Sequence, residues 1–200
     1  MKIAIFASGR GTNLAAIIRA KKKGVIKSDI SLVVSDDKKA LALKRAARGG
    51  IKTVFIDPEK FTIKEDFENE ITKALEAEAI DLIILAGFMR VLSPAFVGRF
   101  KDRILNIHPA LLPSFKGAQG IKDAFDYGVK VTGVTVHFVD EKMDHGPIIL
   151  QAAVKIEEAD TLESLEAKIH KVEHKLYPLA IRLFEEGKLK AEGRKVKIVD

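Results

Sequence analysis

The sequence predicts an α/β protein: a Rossmann-like, mostly parallel sheet flanked by helices, with a C-terminal β-hairpin extension and a long helix. Three observations lead to this fold class. In the first half of the chain, short β-branched runs alternate with longer amphipathic runs, which is the pattern of βαβ units. The short runs are almost wholly apolar, as strands are when helices cover both faces of a sheet. In the second half, two long runs rich in Val and Ile precede one extended helical pattern.

The first half of the chain contains alternating predicted strands and helices. The strands are Lys2–Ala7, Ile30–Ser35, Thr53–Ile56, Leu82–Ala86 and Ile104–Ile107. The helices are Asn13–Lys23, Lys38–Arg48, Lys64–Ala77 and Pro94–Arg99. Because helices separate successive strands, we expect these strands to pair in parallel.

After residue 107 the pattern changes to a loop followed by a hairpin. The loop contains two prolines and little periodicity, so it is expected to be an ordered connection rather than a helix. A short helix, about Ile121–Tyr127, follows it. Val131–Val139 and Ile148–Ile156 then predict two antiparallel strands joined by a polar turn marked by Gly and Pro.

The C-terminal part of the chain predicts a long helix and a second hairpin. Asp160 or Thr161 has the side-chain oxygen needed to cap the helix start, and acidic residues follow. The helix is expected to run to about Glu186 with a kink at Pro178. Leu189–Val199 predicts a terminal hairpin around a Glu-Gly turn.

Charge and composition narrow the classes of function. The 34 Lys and Arg residues against 28 Asp and Glu give a net charge of +6, which suits anionic partners, either metabolites or nucleic acid. The lack of Cys excludes disulfides, thiolate–zinc sites and a cysteine nucleophile. No apolar run approaches the roughly 20 residues of a membrane span, and the polar-flanked start is too short for a signal peptide, so we expect a cytoplasmic protein.

The turn between the first strand and the first helix, Ser8–Leu14, predicts a phosphate site. A helix start presents free backbone N–H groups, and glycines let the backbone close on an anion. Two alternatives stay open. The two glycines match part of a dinucleotide fingerprint, with Asp36 and Asp37 where a ribose-binding acid would lie, although a leucine occupies the third glycine position. The second alternative is an ordinary tight turn capped by Thr12 or Asn13.

Asn106, His108 and Asp144 are the candidate catalytic residues. Asn106 and His108 project to the same side of a strand, at the carboxyl end where parallel sheets bind ligands. An amide donor beside an imidazole stabilises an oxyanion and moves a proton. Asp144 joins this site only if folding brings it to His108, where its carboxylate would fix the tautomer. The alternative is a hydrogen-bonded structural histidine and a solvated turn carboxylate.

We expect neither a metal ion nor nucleic acid as a ligand. His170 and His174 have the i, i+4 spacing of two metal ligands, but no zincin-type motif accompanies them. His137, inside an alternating strand, is expected to be a packed or surface residue. The lysine runs Lys21–Lys23 and Lys188–Lys197 lack interleaved aromatic residues, so they are interpreted as solvated surface.

In their order and spacing, several segments resemble the phosphoribosylglycinamide formyltransferase family, the folate-dependent formyl transfer enzymes of purine synthesis. The resemblance covers nearly the whole chain. The segments are Ser8–Leu14, Ala86–Leu92, Asn106–Gly117, Thr132–His137 and Asp144–Ile149. The resemblance implies one domain, 1–200, in which 1–100 form the nucleotide- and phosphate-binding half and 101–200 the catalytic and folate-binding half.

The resemblance also implies an activity and the residues that perform it. The activity is transfer of the formyl group of 10-formyltetrahydrofolate, the co-substrate, to the amine of glycinamide ribonucleotide, without a metal. The implied catalytic set is Asn106, His108 and Asp144. The implied ribonucleotide contacts are Gly11, Thr12, Asn13 and Glu173. The implied folate contacts are Lys64, Met89, Arg90, Val91, Leu92, Asn106, Asp140, Glu141, Lys142 and Met143.

Some positions depart from the family pattern. Lys64 stands where some relatives place an Arg on the folate, so a point charge replaces a planar fork. Gln119 and Ile121 replace polar positions that are often His. His145 stands where small residues are common, and the sequence offers no role for it. The resemblance further implies a cis peptide bond at Leu112–Pro113.

Three other functions compete with formyl transfer to the ribonucleotide. A 10-formyltetrahydrofolate hydrolase would share the catalytic set, but those relatives carry an N-terminal regulatory domain. A methionyl-tRNA formyltransferase would need a C-terminal domain for RNA, and 200 residues leave room for neither addition. A non-catalytic nucleotide-binding module would use only the glycine turn. We therefore expect small-molecule partners, no nucleic acid, no membrane, and a monomer or homodimer.

Overall fold

One nine-stranded sheet organises the chain, in a computed structural model that describes residues 1–199; Asp200, the last residue of the expected domain, lies outside the described residues. The strands are β1 (Lys2–Phe6), β2 (Asp29–Ser35), β3 (Lys52–Phe55), β4 (Leu82–Leu85), β5 (Ile104–His108), β6 (Val131–Phe138), β7 (Ile148–Lys155), β8 (Leu189–Glu192) and β9 (Lys195–Ile198). The helices are α1 (Thr12–Lys22), α2 (Leu41–Arg48), α3 (Lys64–Ala77), α4 (Pro94–Arg99), α5 (Gly120–Tyr127) and α6 (Leu162–Glu185), with a 3₁₀ turn at Pro58–Lys60.

The strand order across the sheet is β3-β2-β1-β4-β5-β6-β7-β9-β8. The strands from β3 to β5 are parallel, whereas β6 is antiparallel to both β5 and β7. The predicted fold class is therefore confirmed. The terminal hairpin extends this same sheet, because β9 lies parallel to β7.

Alternation along the strands divides the core between the two faces of the sheet. In β1, Ile3 and Ile5 face the layer that contains α1 and α6, whereas Ala4 and Phe6 face the layer that contains α3 and α4. All four side chains are fully buried. The near-continuous apolar runs of the sequence thus have the predicted cause, which is helix cover on both faces.

The first helix begins one residue earlier than predicted, and its cap differs from the expected one. Its N-cap is Gly11, in the left-handed conformation with φ +67°, and no side chain among the described residues caps it. The alternative in which Thr12 or Asn13 caps this helix is therefore wrong. A Cβ at Gly11 would lie 2.9 Å from the backbone of Ala42, so close contact with the next helix also requires glycine here.

The second helix begins three residues later than predicted because Asp37 forms a turn first. The Asp37 carboxylate accepts a hydrogen bond from the Lys39 amide (2.7 Å), and the backbone carbonyl of Asp37 accepts one from the Ala40 amide (3.1 Å). Helical hydrogen bonding starts only after that turn, at Leu41.

The long helix has the predicted start and continues through its proline. Thr161 caps it, and Thr161 and Ser164 exchange side-chain-to-backbone hydrogen bonds as a capping box. Pro178 lies inside the unbroken helix. The Leu112–Pro113 bond is cis, as the resemblance implied. Among residues 1–199 no helix is both long enough and apolar enough to cross a membrane.

Candidate functional site

A cleft of about 400 Å³ opens at the carboxyl ends of β1, β4 and β5. Strand β1 lies between β2 and β4, so the chain direction across the sheet reverses beside it, where open α/β sheets bind ligands. The cleft is lined by residues 9–13, 85–92, 106–109, 117–118, 137, 139–144, 170 and 173. It therefore unites the glycine turn with the segments that contain Asn106, His108 and Asp144.

The three candidate catalytic side chains meet in the middle of this cleft. The Asp144 carboxylate lies 3.5 Å from His108 Nδ1 and 3.4 Å from Asn106 Nδ2. The Gly117 amide donates to the same carboxylate at 2.8 Å and fixes its orientation. Asp144 itself has φ +47°, a left-handed conformation that is uncommon for a residue with a side chain. The turn between β6 and β7 thus holds the Asp144 carboxylate beside Asn106 and His108. From the sequence alone, this placement depended on how the turn folds.

The ring of His108 is held in one orientation by the loop that follows its strand. Its Nε2 donates to the Phe115 carbonyl at 2.7 Å, so that nitrogen carries the proton. Gly120 packs closely on the ring, because a Cβ there would lie 3.2 Å from Nε2. The remaining nitrogen, Nδ1, faces Asp144 at a distance longer than a direct hydrogen bond. This nitrogen is therefore the one available for proton transfer.

His137, which the sequence did not place in the site, lines the cleft. It lies opposite Asn106 across the β5–β6 pair and is almost fully buried. Its Nδ1 donates to the Phe138 carbonyl (2.7 Å), so its Nε2 accepts from Asn106 Nδ2 at 3.2 Å. Burial lowers the pKa of His137, which favours this neutral form. Only the strand register could have revealed the pairing.

The start of α1 forms the end of the cleft suited to a phosphate. The first helical backbone bond runs from the Ala15 amide to the Gly11 carbonyl, so the amides of Thr12, Asn13 and Leu14 have no acceptor within the helix. Arg10 lines the same end of the cleft. Free amides, a positive helix end and an arginine together favour an anion.

Glu173 connects the long helix to this phosphate end. Its buried carboxylate accepts from Asn13 Nδ2 (3.1 Å) and from His170 Nδ1 (2.8 Å). The hydrogen bond that His170 donates to the Glu173 carboxylate raises the pKa of His170. His170, which the sequence offered only as a metal candidate, therefore borders the cleft as a base paired with a carboxylate. No group of three or more His, Asp and Glu suited to a metal occurs in 1–199.

The opposite end of the cleft carries exposed apolar side chains. Met89, Val91 and Met143 are large side chains that remain 68%, 57% and 55% exposed. They belong to the two segments for which the resemblance implies folate contacts, Met89–Leu92 and Asp140–Met143, and both segments line the cleft. Exposed apolar side chains around a cleft are typical of a ligand-binding groove.

Lys64 lies outside this cleft. It lines a neighbouring cavity of about 400 Å³ that shares the segment Met89–Leu92 with the cleft, and its Nζ lies 3.9 Å from the Glu68 carboxylate. Of the implied folate residues, Lys64 therefore shares a cavity with Met89–Leu92 but not with Asp140–Met143, which line only the cleft.

Asp36, the acid of the dinucleotide alternative, is occupied within the protein. Its carboxylate accepts from Ser8 Oγ at 2.5 Å and from Arg90 Nε at 2.8 Å. Ser8 Oγ in turn accepts from the Met89 amide at 2.9 Å. Both oxygens that would bind a ribose are therefore used to connect β2 with the segment after β4, which weakens the dinucleotide interpretation.

Comparisons with known proteins agree on one family. The family model described as Formyl transferase matches residues 1–181. Phosphoribosylglycinamide formyltransferase of Bacillus subtilis is 43% identical over 90% of this chain and 93% of its own. The trifunctional purine biosynthetic protein adenosine-3 of chicken is 44% identical over 94% of this chain, which spans only 19% of that longer protein.

Solved structures extend the agreement to the fold. Glycinamide ribonucleotide transformylase 1 from Symbiobacterium toebii superposes with a TM-score of 0.97 at 45% identity, covering 100% of this chain and 94% of that one. A formyltetrahydrofolate deformylase from Pseudomonas syringae superposes with a TM-score of 0.90 at 27% identity, covering 100% of this chain and 66% of that one.

Proposed function

The chain belongs to the formyl transferase family, and from this premise we propose that it transfers the formyl group of 10-formyltetrahydrofolate to the amine of glycinamide ribonucleotide in purine synthesis. The observation that carries the proposal is the meeting of Asn106, His108 and Asp144 in one cleft, between an anion-binding helix start and an apolar mouth. The ribonucleotide has a phosphate for one end, and the folate has an aromatic ring system for the other.

In the proposed reaction the amine attacks the formyl carbon, and the carbonyl oxygen becomes an oxyanion. Asn106 donates to that oxyanion through the N–H whose contact with Asp144 is long, at 3.4 Å, while its other N–H stays on His137. His108 Nδ1 takes up the proton that the amine loses, and the Asp144 carboxylate stabilises the charged ring. Collapse of the intermediate breaks the bond to the folate nitrogen, and the charged His108 ring returns its proton to that leaving nitrogen and becomes neutral again.

The binding residues divide between the two ends of the cleft. We assign the ribonucleotide to Gly11, Thr12, Asn13 and Glu173, with the phosphate on the free amides of α1. We assign the folate to Met89–Leu92 and to Asp140–Met143. Lys64 is assigned to the part of the co-substrate that extends into the neighbouring cavity. In this proposal 1–100 supply mainly the phosphate end and 101–200 mainly the catalytic groups.

The proposal is tested by mixing the protein with 10-formyltetrahydrofolate and measuring deformylation with and without glycinamide ribonucleotide. We expect release of the formyl group only when the ribonucleotide is present, and formylated ribonucleotide as the product. Asn106→Ala and His108→Ala should each lower kcat by about 10²–10³-fold. Asn69→Ala, an exposed amide on α3 outside the cleft, is the matched control and should retain the wild-type rate. Near-full activity of either site variant would contradict the assignment.

A 10-formyltetrahydrofolate hydrolase is the second candidate, because the deformylase from Pseudomonas syringae shares the fold. Its 27% identity is well below the 43% and 45% of the two formyltransferase relatives. The hydrolase would release formate without the ribonucleotide. A binding module would release nothing under either condition, so the same assay separates all three functions.

We propose that the two small molecules are the only substrates, that no metal takes part, and that the protein acts in the cytoplasm as a monomer or homodimer. Activity that persists in excess chelator and a mass measured by light scattering test the metal and assembly statements.

A further inference from the structure

His145, the residue for which the sequence offers no role, contacts two side chains from different parts of the chain. Its Nδ1 lies 2.6 Å from the Asp140 carboxylate, within the turn between β6 and β7. Arg194, in the turn between β8 and β9, places Nη1 within 3.2 Å of the ring. We call Asp140, His145 and Arg194 the turn clamp. None of the three belongs to the catalytic set.

Asp140 folds the β6–β7 turn onto itself. One carboxylate oxygen accepts from the Lys142 amide at 3.1 Å, and the other accepts from His145 Nδ1 at 2.6 Å. Both ends of the segment Asp140–His145 are thereby joined through a single carboxylate. Glu141, Lys142 and Met143 between them are exposed, so this carboxylate supplies internal hydrogen bonds to a segment with little burial of its own.

Arg194 covers the other side of the histidine. Its Nη1 is 3.2 Å from Nδ1 and 3.1 Å from Nε2. Because a donor at nearly equal distances from both ring nitrogens is in line with neither, the guanidinium lies over the ring face. The ring is therefore held at its edge by a carboxylate and on its face by a cation.

The terminal hairpin brings Arg194 to this position through the sheet. Lys195, the next residue, pairs with Ile148 at the start of β7, directly after the β6–β7 turn. Asp144, which supplies the catalytic carboxylate, is the residue before His145 and has the left-handed backbone conformation. Contacts that hold His145 therefore also restrain the backbone next to Asp144, the residue with the strained conformation.

We propose that the turn clamp is a positioning device for the folate co-substrate: Arg194 of the terminal hairpin and His145 hold the segment Asp140–Met143 in its binding conformation. The inference rests on the proposed function, which assigns this segment to the folate. Neither His145 nor Arg194 is among the residues that line the cleft. The two side chains act through the backbone of the turn, so their loss should weaken folate binding more than ribonucleotide binding.

The test compares the wild-type protein with His145→Ala, Arg194→Ala, the double variant and the control Lys197→Ala. Lys197 lies on the same hairpin, and its exposed ammonium pairs with Glu192 at 2.6 Å, away from the clamp. We expect the KM for 10-formyltetrahydrofolate to rise about fivefold in each single variant, the scale of one partly exposed cation–ring contact. The KM for the ribonucleotide should stay within about twofold of the wild-type value.

The double variant and a binding measurement separate a clamp from two unrelated effects. If His145 and Arg194 act together, the double variant should show the same fivefold change as either single variant. Calorimetric titration with tetrahydrofolate, which has no formyl group to transfer, should show the same loss of affinity. A folate KM equal to that of the control, or effects that multiply in the double variant, would overturn the clamp.

Hydrogen exchange of the Lys142 amide tests the clamp without any catalytic assay. The hydrogen bond from the Lys142 amide to Asp140 should open more often when His145→Ala removes the ring or Arg194→Ala removes the guanidinium that covers it. Exchange should therefore be faster in both single variants and unchanged in Lys197→Ala. If the wild-type protein shows no formyl transfer and the exchange still quickens, the proposed function and the folate role of the clamp both fail, and the clamp stands only as a contact that holds the turn. If the protein transfers the formyl group but exchange of the Lys142 amide is unchanged in His145→Ala and Arg194→Ala, the clamp is refuted and the proposed function is not.

Discussion

Replacement of His137 by Leu tests whether the orientation of Asn106 limits catalysis. Asn106 Nδ2 has two partners, His137 Nε2 at 3.2 Å and the Asp144 carboxylate at 3.4 Å. The first is the shorter contact and ends on a residue that strand pairing and burial hold still. Without it, only the longer contact restrains the amide, which then turns away from the position that donates to the oxyanion.

The expected loss follows from the energy of one hydrogen bond. A net contribution of about 0.5–1.5 kcal/mol corresponds to a decrease in kcat of about 2- to 12-fold. Removal of the whole donor in Asn106→Ala should cost about 10²–10³-fold. The variants should therefore rank wild type, His137→Gln, His137→Leu and Asn106→Ala, because Gln retains an acceptor oxygen.

Steady-state kinetics with both substrates, combined with a double variant, decide whether this reasoning holds. In the Asn106→Ala background, His137→Leu should have no further effect on kcat. Loss of the hydrogen bond to the Phe138 carbonyl should lower stability by about 1–3 kcal/mol, so urea unfolding must show that each variant is folded at the assay temperature. An equal loss of kcat with and without the Asn106 amide would refute the orienting role.

Three further predictions address charge, packing and pH. Asp144→Asn should lower kcat/KM by at least about 10²-fold at neutral pH, because the charge 3.5 Å from His108 is lost; initial rates close to wild type would contradict this. Gly146→Ala should lower the urea midpoint by the equivalent of about 1–3 kcal/mol or prevent folding, because the new Cβ would lie 1.8 Å from the Phe138 carbonyl oxygen; an unchanged midpoint would show that the hairpin yields freely. Burial lowers the folded-state pKa of His137 below its usual 6.5, so the unfolded chain takes up this proton first as the pH falls, and stability declines below about pH 6.5 until the folded pKa is reached. Urea unfolding at about pH 7 and 5 should show a smaller decline in His137→Gln than in the wild type, and equal declines would count against it.

The fold could be predicted from local patterns because each element signals its own period and ends. The apolar runs of β1 and β4 and the start of α6 at Thr161 follow from alternation, helix cover and capping chemistry. The errors fall where a non-local contact decides the local structure. Gly11, rather than a polar side chain, begins α1 because the backbone of Ala42 lies against it.

The candidate site was predictable only in part, for the same reason. Asn106 and His108 share a strand, so their common direction is a local property. Asp144 reaches them through the length of the β6–β7 turn and a left-handed backbone conformation, and His137 reaches Asn106 through the strand register. Neither the turn conformation nor the strand register can be predicted from a short segment of the sequence.

The sequence by itself determined the alternation of strands and helices, the absence of cysteine chemistry and the types of side chain available for catalysis. Those properties depend on residue type and on spacing along the chain. Only the tertiary structure decided three further features. The Asp36 carboxylate accepts hydrogen bonds from Ser8 and Arg90, Lys64 lines a cavity next to the cleft, and Arg194 covers His145. Hydrogen bonds and ion pairs form between groups that are close in space. Residues 28, 49 or 54 positions apart become neighbours only when the whole sheet has assembled.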